Sequence, residues 1–99
     1  MEKELVCVAQ FLAKEEMIED LKNAFLTLIP LTHAEEGCIR YELNQALENN
    51  RKFTFVEKFR DREAFDFHCN TDYIKGFFKD IDLYVDWQDV TTFEEIKTK

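Results

Sequence analysis

Phe53-Thr54-Phe55-Val56-Glu57-Lys58-Phe59 decides how this chain is read. Phe53, Phe55, Glu57 and Phe59 fall on one parity, and Lys52, Thr54 and Lys58 fall on the other. Period two with one apolar side marks a strand with a single buried face. A carboxylate among phenylalanines, just upstream of a helix carrying His68, is the arrangement that suggests chemistry.

Working outward, Cys38 to Ala46 reads as a strand with Ile39, Tyr41 and Leu43 on one side and Arg40, Glu42 and Asn44 on the other. Glu48-Asn49-Asn50 supplies turn residues, so the two strands form a hairpin. Upstream, Leu5 to Leu12 is apolar on both parities, as expected of a central strand covered on both faces. Glu15 to about Ile29 carries Met17, Leu21, Phe25 and Leu28 at helical spacing, with acids in its first turn. Pro30 is expected to stop this helix, Thr32 to Gly37 to form a polar connection, and Gly37 to take a positive φ before the next strand.

Downstream, Asp61 caps a short helix from Arg62 to about Cys69, on which Phe65 and His68 share a side. Thr71 caps a second, where Ile74, Phe77, Phe78 and Ile81 follow the i, i+3, i+4, i+7 pattern. Leu83 to about Val90 reads as a last strand with Leu83, Val85 and Trp87 on one face. The order βαββαβ is that of an α+β ferredoxin-like fold, a four-stranded antiparallel sheet with helices on one face. The first strand is apolar on both sides, yet helices are available for only one. The bare face therefore points to a homodimer formed through sheet faces, with Phe93 and Ile96 of the tail reaching onto the partner.

Ninety-nine residues make one domain, and 45% hydrophobic residues make it globular. A formal net charge of -8 without a basic cluster argues against nucleic acid, whose phosphates would be repelled. No apolar run nears the roughly 18 residues a membrane span needs, and no charged-then-apolar leader opens the chain, so a cytoplasmic protein is expected. Cys7, Cys38 and Cys69 lack zinc or disulfide spacing and read as small buried hydrophobes, leaving no metal site. Ten phenylalanines in so short a chain exceed what a small core accommodates, so some should line a cavity or interface.

Four segments together, Glu36–Leu43, Phe53–Phe59, Arg62–His68 and Thr71–Phe77, resemble the antibiotic biosynthesis monooxygenase domain family. The family pattern is roughly Glu-x-Gly-x-x-x-Tyr-Glu-Leu, aromatic-x-Glu-x-Trp, Ala-x-x-x-His, and Ser or Thr before a short helix ending in Phe. With its flanks the match spans nearly all of 1–99. The resemblance implies a dimeric α+β barrel with a cavity between sheet and helices in each subunit. It also implies a cofactor-independent monooxygenase that oxidises a quinol-like aromatic with dioxygen, using no bound metal or flavin.

It carries the family's histidine onto His68, its strand glutamate onto Glu57 and its tyrosine onto Tyr41 as candidate catalytic residues. Phe59 stands where the family usually has Trp. The chain's one Trp lies in the last strand, which disfavours haem degradation. Phe55, Phe59, Phe65, Phe78 and Trp87 are candidates for the substrate-binding wall, and each is equally at home in a plain core.

As a neutral imidazole His68 suits proton abstraction from a hydroquinone hydroxyl; as a structural residue it would pack on Phe65 against a backbone carbonyl. Glu57 either orients His68 or serves the junction of sheet and helix, and Tyr41 either bonds a substrate oxygen or is simply buried. Two further activities stand beside the monooxygenase. One is a dimeric ligand-binding or regulatory domain without catalysis, which a collapsed phenylalanine-filled interior would favour. The other is a relative that processes an autoinducer sugar phosphate, which requires cations in the cavity; Lys75 and Arg40 are the candidates.

Overall fold

The structure, a computed structural model, describes residues 3–98. Strand β1 (Leu5–Ala13) leads through a 3-10 turn (Glu15–Met17) into helix α1 (Ile18–His33). Strands β2 (Cys38–Gln45) and β3 (Lys52–Phe59) follow, then helices α2 (Arg62–Cys69) and α3 (Asp72–Lys79). A 3-10 turn over Ile81–Leu83 precedes strand β4 (Val85–Phe93). All pairings are antiparallel and the order is β2-β3-β1-β4, with three helices over one face. This is the ferredoxin-like α+β arrangement. No helix among the described residues is long and apolar enough to cross a membrane.

The alternation on β3 appears in three dimensions as stated: Phe53, Phe55, Glu57 and Phe59 are buried and the residues between them are not. β1 is central, with Leu5, Cys7, Ala9, Phe11 and Ala13 buried beneath the helices. Its other face, with Val6, Val8 and Leu12, is only half covered within the single chain. Leu21, Phe25 and Leu28 of α1 and Ile74 and Phe77 of α3 complete the main core over the sheet. A second cluster, Leu5, Cys7, Phe59, Ala64 and Phe65, lies under α2. Asp61 caps α2 by accepting from the Ala64 amide at 2.8 Å, and Thr71 caps α3 by accepting from Ile74 at 3.4 Å.

Several local expectations are corrected. Pro30 does not stop α1, which runs on to His33. The ring removes one helical donor, to the Leu26 carbonyl, on a face where Leu26 and Pro30 are both exposed and water can substitute. Gly37 does not have a positive φ. It is glycine because a Cβ there would stand 2.3 Å from the Ala64 Cβ, so side-chain-free backbone lets α2 close onto the start of β2. Leu83 belongs to the 3-10 turn and the last strand extends to Phe93. Cys7 alone of the cysteines is buried; Cys38 is partly covered and Cys69 exposed, with burial and nearby carboxylates pushing both of these thiols up to about 11.

Two bulges change which side chains share a face. In β2 the register shifts between Cys38 and Arg40, so Ile39 is extruded and half exposed while Cys38 turns inward opposite Phe59. In β4, Val85 pairs with Ala13 but Trp87 pairs with Leu12. Val85 therefore faces the helices and Trp87 the open side of the sheet, contrary to the expectation that they share a face.

Candidate functional site

His68 is 4% exposed, its ring set on Phe59 at 4.9 Å and stacked with Phe65 at 6.4 Å. The cap at Asp61 fixes the start of α2 and thereby the turn that aims His68 inward. Its Nδ1 lies 3.0 and 3.2 Å from the two carboxylate oxygens of Glu35, which is also buried. A carboxylate only accepts, so Nδ1 carries a proton, which in the neutral imidazole leaves the lone pair on Nε2. Tyr73 of α3 donates its hydroxyl to the same Glu35 at 2.5 Å. That bond favours the phenol over the phenolate and, with burial as the larger cause, pushes Tyr73 up to about 12.

Glu57 points from β3 toward the other side of the imidazole, its Oε1 3.9 Å from Nε2, beyond hydrogen-bond length. Burial first, and the negative charge of Glu35 second, push its carboxyl from the ordinary 4.5 up to about 8. At neutral pH it holds its proton. Tyr41, opposite Glu57 on β2, is stacked on Phe55 at 4.5 Å and meets His68 edge-on at 5.5 Å. Burial pushes its phenol well above the usual range, so it remains a neutral donor. The buried Thr32 hydroxyl lies close enough to Tyr41 to oppose that shift, though not in hydrogen-bonding geometry.

These groups surround a cavity of about 30 Å³, walled by Phe11, Phe55 and Phe77 and by the polar trio Tyr41, Glu57 and His68. It admits a water-sized molecule. Neither Lys75 nor Arg40 lines it, and Arg40 instead pairs with Glu42 at 2.8 Å. Among the described residues no group of histidine, cysteine and acidic side chains is placed to hold a metal ion.

Of the residues expected at the site, the structure brings together His68, Glu57, Tyr41, Phe55 and Phe78 around one cavity. Phe59 and Phe65 pack behind His68 in the second cluster and do not line it. Trp87 is on the opposite face of the sheet, half exposed, because of the β4 bulge. The orienting carboxylate is Glu35 rather than Glu57, and neither a backbone carbonyl nor Phe65 alone satisfies the histidine. Glu35 and Tyr73 were not singled out from the sequence. The available signal was the continuation of α1 past Pro30, which carries Glu35 beneath α2 instead of leaving it in a solvated loop.

Residues 5–80 match the family model described as Antibiotic biosynthesis monooxygenase. The chain belongs to that family. It is similar to the Bacillus subtilis (strain 168) protein named "Putative monooxygenase YcnE", 30% identical over 73 residues, or 74% of this chain and 77% of that one. Protein SO0527 from Shewanella oneidensis is 45% identical, with a TM-score of 0.92 over 96% of this chain and 93% of its own. A structure described as an antibiotic biosynthesis monooxygenase is 26% identical, with a TM-score of 0.87 over 94% of this chain and 99% of its own.

Proposed function

We propose that this member of the family is a cytoplasmic, homodimeric monooxygenase that oxidises a quinol-like aromatic with dioxygen, without a bound metal or flavin. The observation that carries the reading is the pairing, on one apolar cavity, of an imidazole oriented by a carboxylate with a second, buried carboxyl. His68, held through Nδ1 by Glu35, offers a bare Nε2, and Glu57 offers a protonated carboxyl beside it. A carboxyl kept protonated by its surroundings beside an imidazole suits an acid and a base on one site.

In the proposed reaction His68 Nε2 takes a proton from one quinol hydroxyl. The electron-rich anion passes one electron to dioxygen, and the radical pair combines to form a carbon–oxygen bond. The imidazolium returns its proton to the peroxide. Glu57 donates to the hydroxide that leaves as water and regains a proton from the ring carbon. The sum is quinol and dioxygen giving hydroxyquinone and water. Tyr41 donates to the second ring oxygen, and Phe55 supports the ring. Phe59 and Phe65 act by holding His68.

The sheet-to-sheet dimer is supported by the open face, where Val6 with Phe93, Val8 with Val56, and Leu12 with Trp87 are apolar cross-strand neighbours, the last pair set apart by the polar row Thr54, Gln10 and Asp89. The second reading, a ligand-binding domain without catalysis, is favoured by one observation, the small volume of the cavity.

Oxygen uptake by metal-stripped, flavin-free protein against a panel of hydroquinones decides between them, with spontaneous oxidation subtracted. Saturable uptake that falls at least about 100-fold in His68→Ala is expected of a general base. Uptake no faster than background for every quinol would select the binding module, and uptake indifferent to His68→Ala would remove His68 as the base.

A further inference from the structure

The cavity beside His68 is too small for the ring it is proposed to receive, so a wall must move. Every residue that lines it is at least nine-tenths buried except Phe78, which is 36% exposed. Phe77, the neighbouring candidate, is wedged among the rings of Phe11, Phe25, Phe78 and Tyr84. Among the aromatic rings Phe78 meets Phe77 at 5.2 Å and Phe11 at 6.3 Å, and it is part exposed to water. A rotamer change at Phe78 thus moves the most exposed of the lining side chains and disrupts no side-chain hydrogen bond.

The helix that carries Phe78 contains a glycine that packing does not require. A Cβ on Gly76 would meet nothing within 4 Å, in contrast to Gly37, where it would collide with Ala64. Glycine inside a helix weakens it relative to alanine, by leaving the backbone more freedom to lose. Here it loosens an eight-residue helix two positions before the one lining residue that reaches solvent.

We propose that Phe78 is the door of the His68 cavity and that Gly76 lets the second half of α3 yield when it opens. The occupant admitted is a flat, uncharged aromatic bearing a hydroxyl. Once Phe78 swings out, the space it leaves is bounded by phenylalanine faces, and the polar groups within are Tyr41, Glu57 and His68. This rests on the quinol reading for its ligand class, but its test does not depend on turnover.

The test is the association rate of 2-naphthol, with phenol as the one-ring control, followed under argon by NMR exchange of the Ile74 and Leu28 methyl signals. A door open for about one-tenth of the time slows entry about ten-fold, so Phe78→Ala should raise the association rate by that factor. Gly76→Ala should raise the melting temperature and lower the association rate several-fold. A merely enlarged cavity would tighten binding by slowing dissociation and leave association unchanged, which overturns the proposal. So would equal association rates in Gly76→Ala and the unsubstituted protein, or no binding to either that protein or Phe78→Ala. Binding that depends on Phe78 and Gly76 in a protein showing no oxygen uptake would keep the door and discard the oxidation.

Discussion

Glu57 makes a linkage prediction whose size follows from its surroundings. Its carboxyl ionises near 4.5 when the chain is unfolded and at about 8 when folded, because burial and the charge of Glu35 both oppose a second anion. Between these values the folded state binds the extra proton, so stability falls as pH rises. It is greatest below about 4.5, declines through the interval and levels off above about 8. At about 1.4 kcal/mol for each pH unit, the whole interval is worth about 3 to 5 kcal/mol, the lower figure applying if water follows the charge into the cavity. Glu57→Gln retains the shape and neutrality of the protonated acid and removes the ionisation. Urea denaturation at pH 5, 6.5, 8 and 9 should give similar stabilities for the two proteins at pH 5. At pH 9 the variant should be more stable by the stated amount. Surface groups titrate alike in both proteins and cancel in the difference. Glu35→Gln removes the second cause of the shift and should narrow the interval. A difference that stays constant within about 0.5 kcal/mol from pH 5 to 9 would mean that Glu57 is already ionised at neutrality, and the proposed acid would be lost with it.

Three further outcomes are expected. Gly37→Ala should cost about 1–3 kcal/mol in denaturant through the clash with Ala64, and Ala64→Gly in the same chain should recover most of that loss. Tyr73→Phe removes a hydrogen bond to a charged acceptor and should cost about 1.5–3 kcal/mol; a double-mutant cycle with Glu35→Gln should show that most of the loss vanishes once the carboxylate is absent. Trp87→Glu places a charge on the open sheet face, on the edge strand β4 beside Leu12. It should shift sedimentation from dimer to monomer while leaving the far-ultraviolet circular dichroism unchanged, and an unchanged sedimentation coefficient would remove this face as the interface.

What was legible in the chain was local. The alternation along Phe53–Phe59, the spacing of Leu21, Phe25 and Leu28, and the caps at Asp61 and Thr71 each depend on residues a few positions apart. Backbone geometry converts such spacing into faces and ends without reference to the rest of the molecule. Four-segment motif spacing likewise reached the family, and with it His68, Glu57 and Tyr41 as neighbours.

What the chain did not reveal depended on contacts across long separations. Glu35 and His68 are 33 positions apart, and Glu35 and Tyr73 are 38 apart. A turn glutamate becomes a buried anion only when α2 and α3 close over it. Pro30 reads as a terminator because its local cost is real, but the burial of Leu28 and Thr32 on either side holds the helix through it. The bulges at Ile39 and before Trp87 are one-residue slips, and one residue is enough to exchange the two faces of a strand. Spacing along the chain therefore determined the elements and their order. Which side chains meet in the cavity, which carboxyl keeps its proton and which aromatic guards the opening were decided only when the helices packed onto the sheet and excluded water.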